Sequence, residues 1–387
     1  MSANPPEALR GELLSVIAAG TSASLADADF GRLARAVFAH QFACNQPYRL
    51  FCERRRVSPD TVSHWAEIPA VPTDAFKAAA LVCGVPEQIE AAAHLNGVQG
   101  VEARRAAVFR TSGTTAGPER RGTHYLPDLA LYDAALRAGF SARLLPDGAR
   151  PRMISLVPHP EKVRDSSLSH MAGAVVADLG ASESGWYVSP QGGIDHAGLT
   201  EALRRAEADG APVCILGTAF ALVHWLDALR EDGTRFRLPP GSRLMDTGGF
   251  KGRSREVTRG ELNGAVDELL GIPPAWCVNE YGMTEMSSQF YDGVAGSASG
   301  PAERLHAGPP WVRTQATDPE TLRPLPHGEV GVLRHFDLAN LDSVMAIQTA
   351  DLGVTSPAGF RVLGRAQGAE ARGCSLAMDD LLRAIGR

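Results

Sequence analysis

The sequence predicts an α/β fold with a largely parallel sheet and a more β-rich section toward the carboxyl end. Three observations carry this expectation. From about residue 105, short apolar strand-like runs alternate with helical patterns, the grammar of strand–helix–strand units. Residues 329–335 and the segments after them read instead as strands separated by turns. Finally, the 387 residues are 44% hydrophobic and 21% charged, which is enough apolar material for one large domain or two to three smaller units.

The elements follow in order. Leu13, Leu14 and Ile17, then Leu33, Ala34, Val37 and Phe38, recur at helical spacing. Pro69 and Pro72 break this helical region, and Thr73 or Asp74 could cap a next helix over residues 75–82. A strand at 106–110 leads through a turn to a helix near 126–142, followed by a strand at 153–157. The most apolar stretch, 211–226, is too short to span a bilayer and contains Pro212, Gly217 and His224. It reads as a strand at 213–216 turning into a helix at 220–229. Residues 243–245 form a strand before Gly248-Gly249, and 275–278 another. The Gly/Ser/Ala-rich stretch 293–300 reads as a surface loop.

A net charge of -6 argues against a nucleic-acid partner held by its phosphate backbone. Cys44, Cys52, Cys83, Cys214, Cys277 and Cys374 form no C-x-x-C pair and no zinc-like Cys/His spacing. They are expected to be reduced thiols of a cytoplasmic protein. The amino terminus carries no basic n-region, so a signal peptide is not expected.

Three local patterns carry chemistry. Thr111, Ser112, Gly113, Thr114, Thr115 and Gly117 make a glycine- and hydroxyl-rich turn after an apolar run. Such a turn can wrap a phosphate with backbone N–H groups, or be a plain surface turn. It is neither a Walker A loop nor a nucleophile elbow. In 279–285, Tyr281 offers a flat face for a base, Gly282 permits close approach, Thr284 supplies a hydroxyl and Glu285 a carboxylate able to hold Mg²⁺. A helix-start cap would also explain that pattern. In 348–353, Asp351 sits at a strand-to-turn junction, where its carboxylate could accept both ribose hydroxyls or bond its own backbone.

The order of these patterns resembles the adenylate-forming superfamily of acyl-CoA synthetases, luciferases and peptide-synthetase adenylation domains. The series reads as the loop 111–117, Tyr281 to Glu285, Gly328-Glu-Val-Gly331, Thr349 to Gly353, Gly364-Arg365 and Arg372-Gly373. Within it the chain looks most like the LuxE-type acyl-protein synthetases. That likeness is carried by 68–77 (Ile-Pro-Ala-Val-Pro-Thr-Asp-Ala-Phe-Lys), the loop 111–117, 246–252 (Asp-Thr-Gly-Gly-Phe-Lys-Gly) and 368–375 (Gly-Ala-Glu-Ala-Arg-Gly-Cys-Ser).

The resemblance implies the N-terminal core of an adenylate-forming synthetase, with parallel sheets, a β-rich subdomain and the C-terminal domain truncated to a short tail. The expected division is a helical part at 1–100, an adenylation core at 101–363 and a residual segment at 364–387. The implied cofactors are ATP and Mg²⁺, and the implied substrate is a carboxylic acid activated as its acyl-adenylate. Residues 111–115 would hold the phosphates, Gly248, Gly249 and Tyr281 the adenine, Asp351 and Arg365 the ribose, and Glu285 the metal. Lys251 is a candidate for the lysine that longer relatives draw from their C-terminal domain, or a solvated loop lysine. Arg120 or Arg121 could neutralise pyrophosphate where the superfamily has lysine. Cys374 is the candidate acceptor thiol, with Arg372 expected to favour its thiolate, or else an inert terminal cysteine. A reductase or carrier protein would then take the acyl group. Two other readings stand beside this one: a ligase passing the acyl group to coenzyme A, a carrier protein or an amine, and a non-catalytic nucleotide-binding protein.

Overall fold

The structure is a computed structural model that describes residues 6–95, 105–111, 121–248, 257–297, 304–366 and 372–386. The chain divides into two compact units. One gathers Met1–Ala138, Met283–Gln289 and Gly308–Arg387; the other gathers Gly139–Gly282 and Phe290–Ala307. The boundaries expected near 100 and 363 both fall inside the first of these.

The chain opens with helices α1 (Pro6–Ala18), α2 (Asp27–Cys44) and α3 (Gln46–Arg54), then the two-residue strand β1 (Val71–Pro72) and helix α4 (Pro86–Leu95). α2 forms because Phe30, Leu33, Ala34, Val37 and Phe38 recur on one face and are buried, with Gln41 continuing that face. α3 starts where the Asn45 side chain accepts from the Tyr48 N–H. The hairpin β2 (Ala107–Arg110) and β3 (Thr123–Leu126) precedes α5 (Ala130–Leu144).

The second unit is a layered strand–helix alternation: β4 (Arg152–Leu156), α6 (Ser167–Leu179), β5 (Gly185–Trp186), α7 (His196–Asp209), β6 (Val213–Thr218), α8 (Ala219–Glu231), β7 (Arg243–Thr247), α9 (Arg259–Leu270), β8 (Cys277–Tyr281) and β9 (Phe290–Tyr291). The strands order β5-β4-β6-β7-β8-β9, all parallel except β9. The central strands are buried, which is why they read as continuous apolar runs. Ile154, Ile215 and Leu244 pack with Leu199 and Leu203 of α7, Leu222, Trp225 and Leu226 of α8, and Leu262, Val266 and Leu269 of α9. The helices begin on side-chain caps: Ser166 for α6, Asp195 for α7, Thr218 for α8 and a Thr258–Glu261 capping box for α9.

The chain then returns to the first unit with β10 (Val312–Thr317), β11 (Val330–Asp337), β12 (Ala346–Ser356), β13 (Gly359–Arg365) and α10 (Arg372–Ala384). These strands form a sheet ordered β1-β12-β11-β10, with β13 also on β12; only the β1–β12 pairing is parallel. α10 turns Ala377 and Leu381 inward and ties to α3 through Arg55 and Asp380, 3.1 Å apart.

The α/β architecture and the β-rich section match the sequence expectation, and four details differ. Residues 73–77 make only a short 3-10 turn, and the α-helix starts later, at Pro86, where proline suits the first helical turn. Strand β3 lies mostly in the stretch expected to be a turn, and the helix behind it starts at Ala130 rather than near 126. One sheet, rather than several, is parallel. Cys44 and Cys83, expected as free thiols, are joined as a disulfide. Among the described residues, no helix is long and apolar enough to cross a membrane.

Candidate active site

In the second unit the residues singled out from sequence stand at the carboxyl ends of adjacent parallel strands, where open α/β sheets bind ligands. β7 ends at Thr247, and Gly248 turns the chain at a φ of 75°, a left-handed conformation that side chains disfavour. Gly249 and Lys251 lie outside the described residues. β8 runs beside β7, with Thr247 opposite Glu280, and delivers Tyr281 and Gly282. The Tyr281 ring is half-buried, with His306 at 5.7 Å and Phe290 at 5.8 Å between ring centres.

A buried polar network holds these strand ends. Asp246 accepts from Arg259 at 2.6 Å and from Asn279 Nδ2 at 2.7 Å. Arg259 reaches on to Asp292 at 3.0 Å, and Asp292 accepts from the Asn279 N–H at 2.7 Å. With Nδ2 given to Asp246, Asn279 Oδ1 accepts from His306 Nε2 at 2.8 Å. Burial lowers His306 to about 4, so it stands neutral near pH 7. Burial likewise raises Asp246 against the pull of Arg259, and raises Glu280 to about 7 despite the Thr247 hydroxyl donating to it.

In the first unit, Thr284 and Glu285 are clamped by their backbone. His124, on β3, donates from Nδ1 to the Thr284 carbonyl at 2.7 Å, and Asn340 Nδ2 donates to the Glu285 carbonyl at 2.9 Å. Burial lowers His124 to about 4, so the ring is neutral and the carbonyl fixes its tautomer. Asp337 accepts from the N–H groups of Ser287 and Ser288 at 3.0 and 2.8 Å, extending the clamp.

The Glu285 carboxyl is 7% exposed and raised to about 7, chiefly by burial. Lys77 and Arg365 lower it and Asp74 raises it. It forms no ion pair among the described residues. A buried carboxylate with no ion-pair partner to offset its burial is costly, so this group fits a divalent cation. Thr284 is half-exposed beside it.

Asp351 and Arg365 are partners across the β12–β13 ladder, with Arg365 Nε donating to Asp351 Oδ1 at 3.2 Å. The Asp351 N–H donates to Thr349 Oγ1 at 3.1 Å, and that hydroxyl donates to the Leu333 carbonyl at 2.7 Å. Cys374, in the first turn of α10, is half-buried and donates from Sγ to the Thr349 carbonyl at 3.5 Å. Its helix is brought close by Gly373, whose N–H donates to the Pro319 carbonyl at 2.8 Å; a Cβ there would meet that oxygen at 2.5 Å. Burial raises the Cys374 thiol, Arg334 opposes the rise and Asp74 adds to it. Among the described side chains the cation acting on Cys374 is Arg334, and burial outweighs it; the Arg372 side chain, expected in that role, lies outside the described residues.

Of the glycine-rich loop, Thr111 is described, and Ser112, Gly113, Thr114, Thr115, Gly117 and Arg120 are not. Its neck is closed by the Thr111 N–H donating to the Gly122 carbonyl at 2.9 Å and the Gly122 N–H to Thr111 Oγ1 at 2.8 Å. Arg121, expected as a pyrophosphate partner, donates to the Thr111 and Arg110 carbonyls, which fastens the neck. Sequence reasoning missed Lys77, His124, Asn340 and Arg334. Only Lys77 lay within a quoted motif; the other three act across long sequence separations.

The fold, with its parallel sheet and ordered motifs, is that of adenylate-forming ligases. The chain resembles 2-hydroxyisobutyryl-CoA ligase in complex with 2-HIB-AMP and CoA in an open conformation, at a TM-score of 0.61 and 17% identity, over 89% of this chain and 71% of that one. The same ligase in its postadenylation state matches at a TM-score of 0.62 and 17% identity, over 88% of this chain and 67% of that one. A family model described as "Acyl-protein synthetase, LuxE" matches residues 29–112 and 171–383, and the chain belongs to this family. The long-chain-fatty-acid–luciferin-component ligase of Vibrio harveyi is 22% identical over 362 residues, covering 91% of this chain and 88% of that protein. Its counterpart in Aliivibrio fischeri is 22% identical over 363 residues with the same coverages. The protein is accordingly an ATP-dependent ligase that forms an acyl-adenylate and transfers the acyl group.

Proposed function

We propose that the acyl group is transferred to Cys374 of the same chain, and that the acid is a fatty acid, the class named in both curated relatives. A substrate carboxylate oxygen bonds to the α-phosphorus of ATP, and pyrophosphate leaves. The Cys374 sulfur then bonds to the acyl carbonyl carbon, AMP leaves with the electrons of the anhydride bond, and the thiol proton passes to solvent.

The observation that supports this reading most is the position of Cys374. Its Sγ bonds the Thr349 carbonyl two residues before Asp351, and the charge of Asp74 raises both Cys374 and Glu285. A thiol so placed can meet an adenylate whose ribose is held by Asp351 and Arg365. Gly248 and Tyr281 contact the adenine, Thr284 a phosphoryl oxygen, and Thr111 belongs to the phosphate loop. Glu285 would hold Mg²⁺, which offsets charge on the phosphates. Holding these groups in fixed positions is the main catalytic device available to such a reaction. Lys77, close enough to lower Glu285, is a described candidate for the cation role expected of Lys251. A reductase or carrier protein would receive the acyl group from Cys374.

ATP–pyrophosphate exchange across fatty, aryl and amino acids tests the first step. Exchange that needs a fatty acid and is lost in Glu285→Ala is expected. ATP binding without exchange for any acid would mean a non-catalytic nucleotide-binding protein instead.

A further inference from the structure

Away from the residues assigned to acyl transfer, one side of the first unit gathers an imidazole, two sulfurs and a buried carboxylate. His40 and Cys44 are four residues apart on α2, so they share a face, and Cys83 is brought to them from the segment before α4. One ligand atom from each lies within 4.8 Å of the others. Cys44 is exposed, and His40 and Cys83 are half-buried, so an ion could reach them from solvent.

Asp342 completes the arrangement. Its Oδ1 is 3.4 Å from His40 Nε2, its Oδ2 accepts from Arg10 at 2.7 Å, and its backbone carbonyl accepts from the Cys83 N–H at 2.8 Å. Arg10 compensates the Asp342 charge, which suits the carboxylate to orienting an imidazole rather than binding an ion itself. His40 Nδ1 and Nε2 stand 3.8 and 3.6 Å from Cys44 Sγ, and with Nε2 bonded to Asp342, Nδ1 is the nitrogen left for an ion. In a tetrahedral site with metal–sulfur and metal–nitrogen bonds of about 2.3 and 2.0 Å, these atoms would stand roughly 3.5 Å apart. A histidine that ligates through one nitrogen and donates the other N–H to a carboxylate is the usual pattern of metal sites.

We propose that, once two equivalents of a small-molecule thiol have reduced the Cys44–Cys83 disulfide to two thiols and left as their own disulfide, Cys44, Cys83 and His40 Nδ1 bind a thiophilic divalent cation such as Zn²⁺. Asp342 orients His40, and water takes the fourth position. The disulfide is the oxidised form of the same pair and makes no use of the imidazole or the carboxylate. Binding displaces the two thiol protons and leaves two thiolates whose charge matches the cation.

The site also has a structural reach. Gln41, next to His40, donates from Nε2 to the Asn340 and Leu341 carbonyls at 2.8 and 3.0 Å, and Asn340 holds the Glu285 carbonyl. Ion binding at His40 therefore stiffens the loop that fixes the Glu285 backbone.

The full chain, reduced with a phosphine and freed of excess reductant, is titrated with Cd²⁺, with ultraviolet absorption as the readout. One Cd²⁺ per chain with thiolate-to-metal charge-transfer absorption is expected. That absorption is lost in Cys83→Ser and kept in Cys374→Ser, and Asp342→Asn weakens binding about tenfold to a hundredfold. Alkylation of the wild-type chain, mapped by peptide mass, covers the case of a variant that fails to fold: Zn²⁺ should protect Cys44 and Cys83 together. No charge-transfer absorption, absorption undiminished in Cys83→Ser, or equal alkylation with and without Zn²⁺ would overturn the proposal.

Discussion

Burial makes Glu285 hold its proton up to about pH 7, and the consequences have a definite sign. The folded value lies above the unfolded one, so ionising this group as pH rises from about 4.5 through 7 costs folding stability. In the absence of a cation, Glu285→Gln should therefore stabilise the chain near pH 8, by up to about 3 kcal/mol as an order of magnitude, and change little near pH 4. Denaturant midpoints of the two proteins at both pH values check this. The same substitution should remove acid-dependent pyrophosphate exchange. Cys374→Ser should leave exchange within about twofold of wild type while abolishing acyl-enzyme, because the thiol enters only after adenylation. At this scale the sequence exposed the chemistry-bearing types: Tyr281, Glu285 and Asp351 stand out from their local patterns, and Arg365 and Cys374 through the family resemblance. Depth of burial was not legible, and it is burial that makes Glu285 a poor acid and keeps Cys374 protonated.

Single elements set the reach of those residues. β12 carries Thr349, whose hydroxyl accepts from the Asp351 N–H and donates to the Leu333 carbonyl. Thr349→Val keeps the shape and removes both bonds, costing about 1–3 kcal/mol and raising KM for ATP more than it lowers kcat. Urea unfolding and steady-state kinetics separate the two effects. The loop before β12 is a second support: Asn340 Nδ2 donates to Glu285 and to the Val344 carbonyl at 2.8 Å, and Oδ1 accepts from Ser287 at 2.9 Å. Asn340→Ala should cost about 2 kcal/mol or more, since buried partners are left unpaired. Apolar strands such as β4, β6 and β7 were readable because both faces are covered. β3 was not, because its four residues lie in the stretch read as the turn before the helix. The 75–82 helix failed for a local reason: the turn beginning at Thr73 ends by Ala78, and Pro86 begins the real helix.

The first unit is assembled from three separated stretches of chain, so its site depends on contacts remote in sequence. His124 meets Thr284 across 160 positions, and Gln41 meets Asn340 across 299. No local pattern reports such pairings, which explains why the clamps around Glu285 and the Cys44–Cys83 pairing were invisible to sequence reasoning. The order of motifs was visible, and it sufficed for the class of fold and reaction. α10 shows how the assembly bears on chemistry. Gly373→Ala would push this helix from the Pro319 carbonyl, so acylation should fall at least tenfold while exchange persists; paired assays of the two steps check it.

Intact-protein mass spectrometry of the chain given ATP, Mg²⁺ and a long-chain fatty acid tests acyl transfer to Cys374 most directly. A single acyl increment is predicted, removed by hydroxylamine, absent in Cys374→Ser and mapped to the peptide bearing Cys374. An unmodified chain that still catalyses pyrophosphate exchange, or an increment that survives in Cys374→Ser, would contradict it.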